Sequence, residues 1–313
     1  MGKGALVGFL AAFLAGLFMI APASAQIKDE LDDCTGKSNP VPDKQIIGCL
    51  AVIQSGRWSK KAEAFAYDGI GRALVVNGEI DKAITSFNQA ITNDPDYALA
   101  YRNRGLAYIR KNDLDHAIAD FSSAIKADAT LAPAFDDRGW VYRQKGDLDK
   151  AIADYDQAIK LDPLFAHAYN GRGDAYEAKG DLTHALADYS EAIKHDANLA
   201  AAYNNRCFAR AKADDLQNAL QDCDKALQLA PDAAFILDSR GFVYLKLKQY
   251  DHALADYDAA LKAEPKLSSS LYGRGLVKIQ LGQAEAGKAD LAAATEIDAK
   301  VAEIFKGLGK AQK

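Results

Sequence analysis

Histidine, cysteine, tryptophan and methionine are scarce in this 313-residue chain, with 5, 4, 2 and 2 copies, and the scarcity removes most site chemistries. His116, His184 and His252 share one position of an internal repeat in alternate copies. Two helix-pair widths separate them by roughly 20 Å, too far to share a metal. His167 and His195 stand alone, outside any metal-ligand spacing. There is no phosphate-loop motif, no dinucleotide fingerprint, no nucleophile set beside a base and no carboxylate pair outside the repeat. No catalytic residue, cofactor or metal is therefore expected. A basic excess is also missing: the net charge is −5, the charges are interspersed, and no basic patch of the kind a nucleic-acid binder needs is present.

Long apolar runs are absent too, with one exception at the start. Residues 4–20 are apolar after Lys3, and Pro22 precedes Ala23-Ser24-Ala25, a small-residue cleavage site. This pattern predicts a secretory signal peptide over residues 1–25. The alternative is an uncleaved anchor, since 17 apolar residues approach the lower limit of a membrane span. The first cysteine is Cys34, too distant from the apolar run for a lipid-anchored chain. Removing residues 1–25 takes away one base and gives a net charge of −6. No transmembrane segment is expected beyond that point.

What the chain has in abundance is periodicity. Residues 132–165 read as two helices around a tight turn at Gly146-Asp147, the second ending before Pro163. One such pair cannot bury its own apolar face. Shifted by 34 residues, Gly139 falls on Gly71, Gly105, Gly173, Gly241, Gly275 and Gly309, with Cys207 in the remaining place. Ala151 falls on Ala83, Ala117, Ala185, Ala219 and Ala253; Ala158 is matched in all seven copies; Tyr155 falls on Phe87, Phe121, Tyr189 and Tyr257; Pro163 on Pro95, Pro231 and Pro265. No insertion interrupts seven windows, 64–97, 98–131, 132–165, 166–199, 200–233, 234–267 and 268–301.

This pattern resembles the tetratricopeptide repeat (TPR) family, whose unit is a 34-residue helix pair with small, aromatic and Pro residues at these offsets. The resemblance implies an all-α fold, a right-handed superhelical α-solenoid of seven helix pairs. Residues 26–63 read as an N-terminal half-repeat cap, and 302–313 as a C-terminal capping helix, as solenoid ends need cover. Together with the export signal, the repeat style resembles Gram-negative bacterial proteins and implies a periplasmic or secreted location.

The cysteines form two local couples, Cys34 with Cys49 and Cys207 with Cys223. Cys49 and Cys223 take the aromatic slot, and Cys207 the Gly slot. In an exported chain a disulfide at each couple is expected. The alternative for Cys207 and Cys223 is a compensating change of volume. A second regularity departs from the family, which often has Leu before the Gly. Six repeats have Arg there and Asp sixteen residues later: Arg104 with Asp120, Arg138 with Asp154, Arg172 with Asp188, Arg206 with Asp222, Arg240 with Asp256 and Arg274 with Asp290. Inter-helix ion pairs are expected, in preference to a ligand-binding ladder.

In the family, first helices line a concave groove with their second, fifth, ninth and twelfth residues. That implies a partner surface of Asp68, Arg72, Arg102, Leu106, Asp136, Trp140, Arg143, Asn170, Asp174, Asn204, Phe208, Asp238, Phe242 and Tyr272. The family's carboxylate-clamp residues are not matched. Two functions stand open: a non-enzymatic module binding an envelope protein or peptide in the groove, or an assembly factor acting through its convex face or ends. For the apolar groove positions, the alternative is packing between adjacent first helices.

Overall fold

The computed structural model describes residues 32–35 and 41–306; the expected signal peptide and residues 307–313 lie outside the described residues. A single helical turn at 32–35 precedes fifteen α-helices and one 3₁₀ turn, and no strand occurs among the described residues. The helices are α1 (Pro42–Gln54), α2 (Lys60–Val76), α3 (Ile80–Asn93), α4 (Ala98–Arg110), α5 (Leu114–Ala127), α6 (Ala132–Gln144), α7 (Leu148–Leu161) and α8 (Ala166–Ala178). They continue as α9 (Leu182–His195), α10 (Ala200–Lys212), α11 (Leu216–Leu229), α12 (Ala234–Lys246), α13 (Tyr250–Ala263), α14 (Ser268–Gln280) and α15 (Ala284–Ile297). Two compact units divide at Pro95.

In the first unit α1 packs on α2 and α2 on α3. Cys34 and Cys49, both fully buried, form a disulfide that fastens the turn at 32–35 to α1. Two glycines allow this approach. A Cβ on Gly48 would lie 2.7 Å from the Asp33 Cβ, and one on Gly69 would lie 2.8 Å from the Cys49 sulfur. Ser59 caps α2 by accepting a hydrogen bond from the Ala62 N–H.

In the second unit, from α4 onward, each first (A) helix packs on its own second (B) helix, and each B helix on the next A helix. Local chemistry sets this rhythm. The A-to-B reversal needs a left-handed residue at every copy, met by Gly146, Gly180 and Gly282 and by the non-glycine residues Asn112, Asp214 and Lys248. Each B helix ends at a residue in extended or nearly extended conformation. At Asp128, Asp162, Asp196 and Asp298 the carboxylate accepts the N–H two residues on, fixing the turn to the next repeat.

The aromatic slot fills the interior. Phe121, Tyr155, Tyr189 and Tyr257 are buried, each against the Gly of its own A helix. A Cβ at Gly105 would lie 2.7 Å from the Phe121 ring, and one at Gly173 2.6 Å from Tyr189. In 200–233 both partners are cysteine, and Cys207 and Cys223 form a disulfide with Cα atoms 5.4 Å apart. A covalent bond stands where four other repeats of this unit place a ring over a glycine.

Every Arg–Asp couple meets across its helix pair with the same geometry. The arginine Nε donates to one carboxylate oxygen and Nη2 to the other at 2.6–2.9 Å, from Arg104–Asp120 through Arg274–Asp290. The six aspartates are buried. Bidentate geometry uses the planar fork of arginine, and a lysine would not reproduce it. In five of these arginines the remaining Nη1 reaches back to the preceding B helix, to Ser122, Asp156, Ser190, Asp224 and Asp258. Each of these arginines therefore joins three helices.

Of the expected capping segment 302–313, residues 302–306 are described. Residues Val301–Glu303 form a 3₁₀ turn, which continues as a turn to Lys306. Phe305 is buried against Phe242 and Tyr272, with ring centroids 5.5 and 5.0 Å away. The turn sets Phe305 against α12 and α14, where burying its ring on that aromatic pair is favourable.

Candidate functional site

The candidate site lies on the A helices of the second unit. Repeat positions two, five, six, nine and twelve of successive A helices border common open pockets, since residues three and four apart share a helix face. One pocket, about 280 Å³, is bounded by Leu106 and Ile109 on α4 and by Asp136, Asp137 and Trp140 on α6. A second, about 240 Å³, includes Asn204 and Phe208 on α10, Phe235, Asp238 and Phe242 on α12, and Phe305.

The structure sorts the expected groove residues into two sets. Leu106, Asp136, Trp140, Asn204 and Phe208 border the pockets. Trp140 is 37% exposed and Phe235 49%, with Leu99 also exposed at position two of α4. The other residues are engaged within the protein, Asp238 and Phe242 while also lining the second pocket. Asp68 is buried and accepts from Arg72. Arg102 donates to Asp137 at 2.6 Å. Arg143 lies 3.5 Å from Asp174, which also accepts from Asn205 and the Tyr189 hydroxyl, while Asn205 bonds Asn170. Asp238 borders the second pocket and accepts from Ser270. Phe242 is only 4% exposed, lying between Phe208 and Phe305; Tyr272 stacks on Phe305. Phe242 thus packs against Phe208 of the adjacent A helix, and Tyr272 against the turn that follows α15.

Electrostatics distinguish the carboxylates. Burial, reinforced by neighbouring Asp137 and opposed by Arg102, pushes Asp136 up to about 7. Asp174 rises to about 6, again by burial, with Arg143 opposing. Burial also raises Asp137 and Asp238, against the arginine and serine bonds that stabilise their charge. Beneath this surface the Tyr257 hydroxyl is buried without a hydrogen-bond partner among the described residues, and the buried Tyr155 hydroxyl lies near Arg143. The histidines take no part. His116, His184 and His252 stack on Tyr108, Tyr176 and Tyr244 at 4.9, 5.0 and 5.1 Å.

Sequence reasoning missed Asp137, Asn205, Phe235 and Phe305. Position six reads Asp137, Gly171, Asn205, Ser239 and Gly273 across these copies, so no constant residue type marks it. Phe305 sits beyond the seventh window, where the register continued to Gly309 reads as the start of another first helix and says nothing of a contact with Phe242 and Tyr272.

The architecture is that of a helical-repeat solenoid, and its family can now be given. Family models described as TPR repeat or tetratricopeptide repeat match residues 69–132, 139–180, 166–199, 234–267 and 268–301. The chain belongs to the tetratricopeptide repeat family. Similar solved structures include a tetratricopeptide repeat protein from Parabacteroides merdae, 17% identical, covering 79% of this chain and 99% of its own, with a TM-score of 0.62. Another is the APC/C Cut9–Hcn1 hetero-tetramer, 18% identical, covering 92% of this chain and 57% of the other, TM-score 0.68. Pseudomonas aeruginosa PilF is 16% identical, with 72% and 99% coverage and a TM-score of 0.61. At these identities the likeness is one of fold. Comparison with curated protein sequences finds no match.

Proposed function

We propose that this chain is a non-enzymatic protein-interaction module of the bacterial cell envelope that holds an extended peptide or partner helix along its A-helix face. The observation that carries the reading is the exposure of Trp140 and Phe235 on α6 and α12, where they border pockets open to solvent, with Leu99 exposed at a groove position of α4. Exposed aromatic anchors bordered by polar groups are the features of binding surfaces. Two disulfides favour an oxidising compartment, and none of the described helices is long and apolar enough to cross a membrane. Export through residues 1–25 belongs to the same reading.

A second reading, assembly through other faces, rests on Leu164, 70% exposed at the turn between α7 and α8. A pull-down from envelope extract tests the two. The native chain is compared with a Trp140→Ala/Phe235→Ala variant and with Leu164→Ser, and captured proteins are identified by mass spectrometry. A partner retained by Leu164→Ser and lost by the double variant supports the A-helix face. Retention by the double variant and loss by Leu164→Ser supports the second reading.

A further inference from the structure

The pocket between α4 and α6 has walls and floor of opposite character. Leu106, Ile109 and Trp140 give it apolar sides, and Asp136 and Asp137 bring two carboxylates to it. At about 280 Å³ it is no larger than the small end of pockets for drug-sized ligands, roughly 300 Å³, a size suited to one long side chain. The charges inside do not balance. Arg102 is the cation in reach, and it is committed to Asp137 through its Nε. Asp136 has no hydrogen bond or ion pair among the described residues. From the B helix behind it the group that senses its charge is the buried Tyr155 hydroxyl, whose other charged neighbours are Arg143 and Asp174. A desolvated carboxylate left without a cation is costly, and a positive group entering the pocket relieves that cost.

Resting on the interaction-module reading, we infer that this pocket receives a basic side chain, lysine or arginine, of the bound peptide. The aliphatic stem runs between Leu106, Ile109 and Trp140, and the cation meets Asp136. A long basic side chain matches the pocket in both respects, since its methylenes want apolar cover and its head wants an anion. The exposed Trp140 ring adds attraction for a cation passing over its face. Norleucine shares the stem and lacks the charge; glutamate reverses it. The rule for partners is therefore a cationic residue flanked by apolar ones, the opposite charge to a terminal-carboxylate ligand.

Fluorescence polarisation on the full chain tests this. The probes are nine-residue alanine–leucine peptides with Lys, Arg, norleucine or Glu at the centre, measured at low salt, where exposed charge pairs are least screened. The expected result is that Lys and Arg peptides bind about tenfold more tightly than the norleucine peptide, a factor equivalent to about 1.4 kcal/mol, and that Glu binds weakest. Asp136→Asn should erase the preference for charge without weakening the norleucine peptide. Trp140→Ala should weaken every peptide. Norleucine binding as tightly as lysine, or a lysine preference that survives Asp136→Asn, overturns the inference; if Trp140→Ala still weakens binding, the interaction-module reading stands. Binding by none of the four peptides also overturns the inference, and the pull-down then decides the wider reading separately.

Discussion

Single residues show where this chain follows its repeat and where it strains against it. Lys248 occupies the left-handed turn position that glycine fills at 146, 180 and 282. A side chain there costs about 1–2 kcal/mol, so Lys248→Gly is expected to raise the thermal midpoint by a few degrees in a calorimetric scan. The reciprocal change Gly146→Val, a β-branched residue at φ 82°, is expected to lower it. Asp136 gives a pH-dependent case. Its carboxyl is raised to about 7 in the folded protein from the usual range near 4. Between those values the folded chain binds the extra proton, so this group's contribution to stability falls as pH rises. Asp136→Asn should raise the midpoint at pH 8 and leave it nearly unchanged at pH 4. An equal gain at both pH values would contradict the assigned cause.

At the level of helices, two devices hold each pair together, and they respond to different tests. The Arg–Asp fork links A to B within a repeat, and in five copies also reaches the preceding B helix. Removing one partner strands a buried charge, at about 3 kcal/mol. For the Arg172–Asp188 pair, Arg172→Leu alone and Asp188→Leu alone should each lower urea stability by about that much. The double variant should cost clearly less than their sum, because neither charge is then left unpaired. The second device appears once, at Cys207–Cys223, where its neighbours use Gly and an aromatic ring. Cross-linking a loop of this length contributes about 3 kcal/mol in the chain-entropy account. In a Cys34→Ala/Cys49→Ala background, a reducing agent should lower the melting midpoint. Adding Cys207→Gly and Cys223→Tyr restores the common repeat pair and should make the protein indifferent to reductant.

For the whole molecule, the legible features are those the 34-residue period repeats. Ala158 and its six counterparts announced the close helix contacts, and the paired loss of Arg and Asp in the first copy, where Ile70 and Ser86 stand, announced that the two residues belong together. The unreadable features are those that occur once. Phe305 packs onto Phe242 and Tyr272 through a 3₁₀ turn where the repeat register alone would start another first helix. Arg102 chooses Asp137 over Asp136 through side-chain geometry that spacing does not encode. That choice matters for function, since it leaves Asp136, the carboxylate without an ion pair among the described residues, at the open pocket beside Trp140.

The central claim is that partners engage the A-helix face. Site-specific photocrosslinking in intact cells tests it most directly, with a benzophenone amino acid placed at position 140, at 235 or at 164 in otherwise native chains. The account predicts adducts to the same partner from positions 140 and 235 and none from 164. Adducts formed from position 164 alone would contradict it.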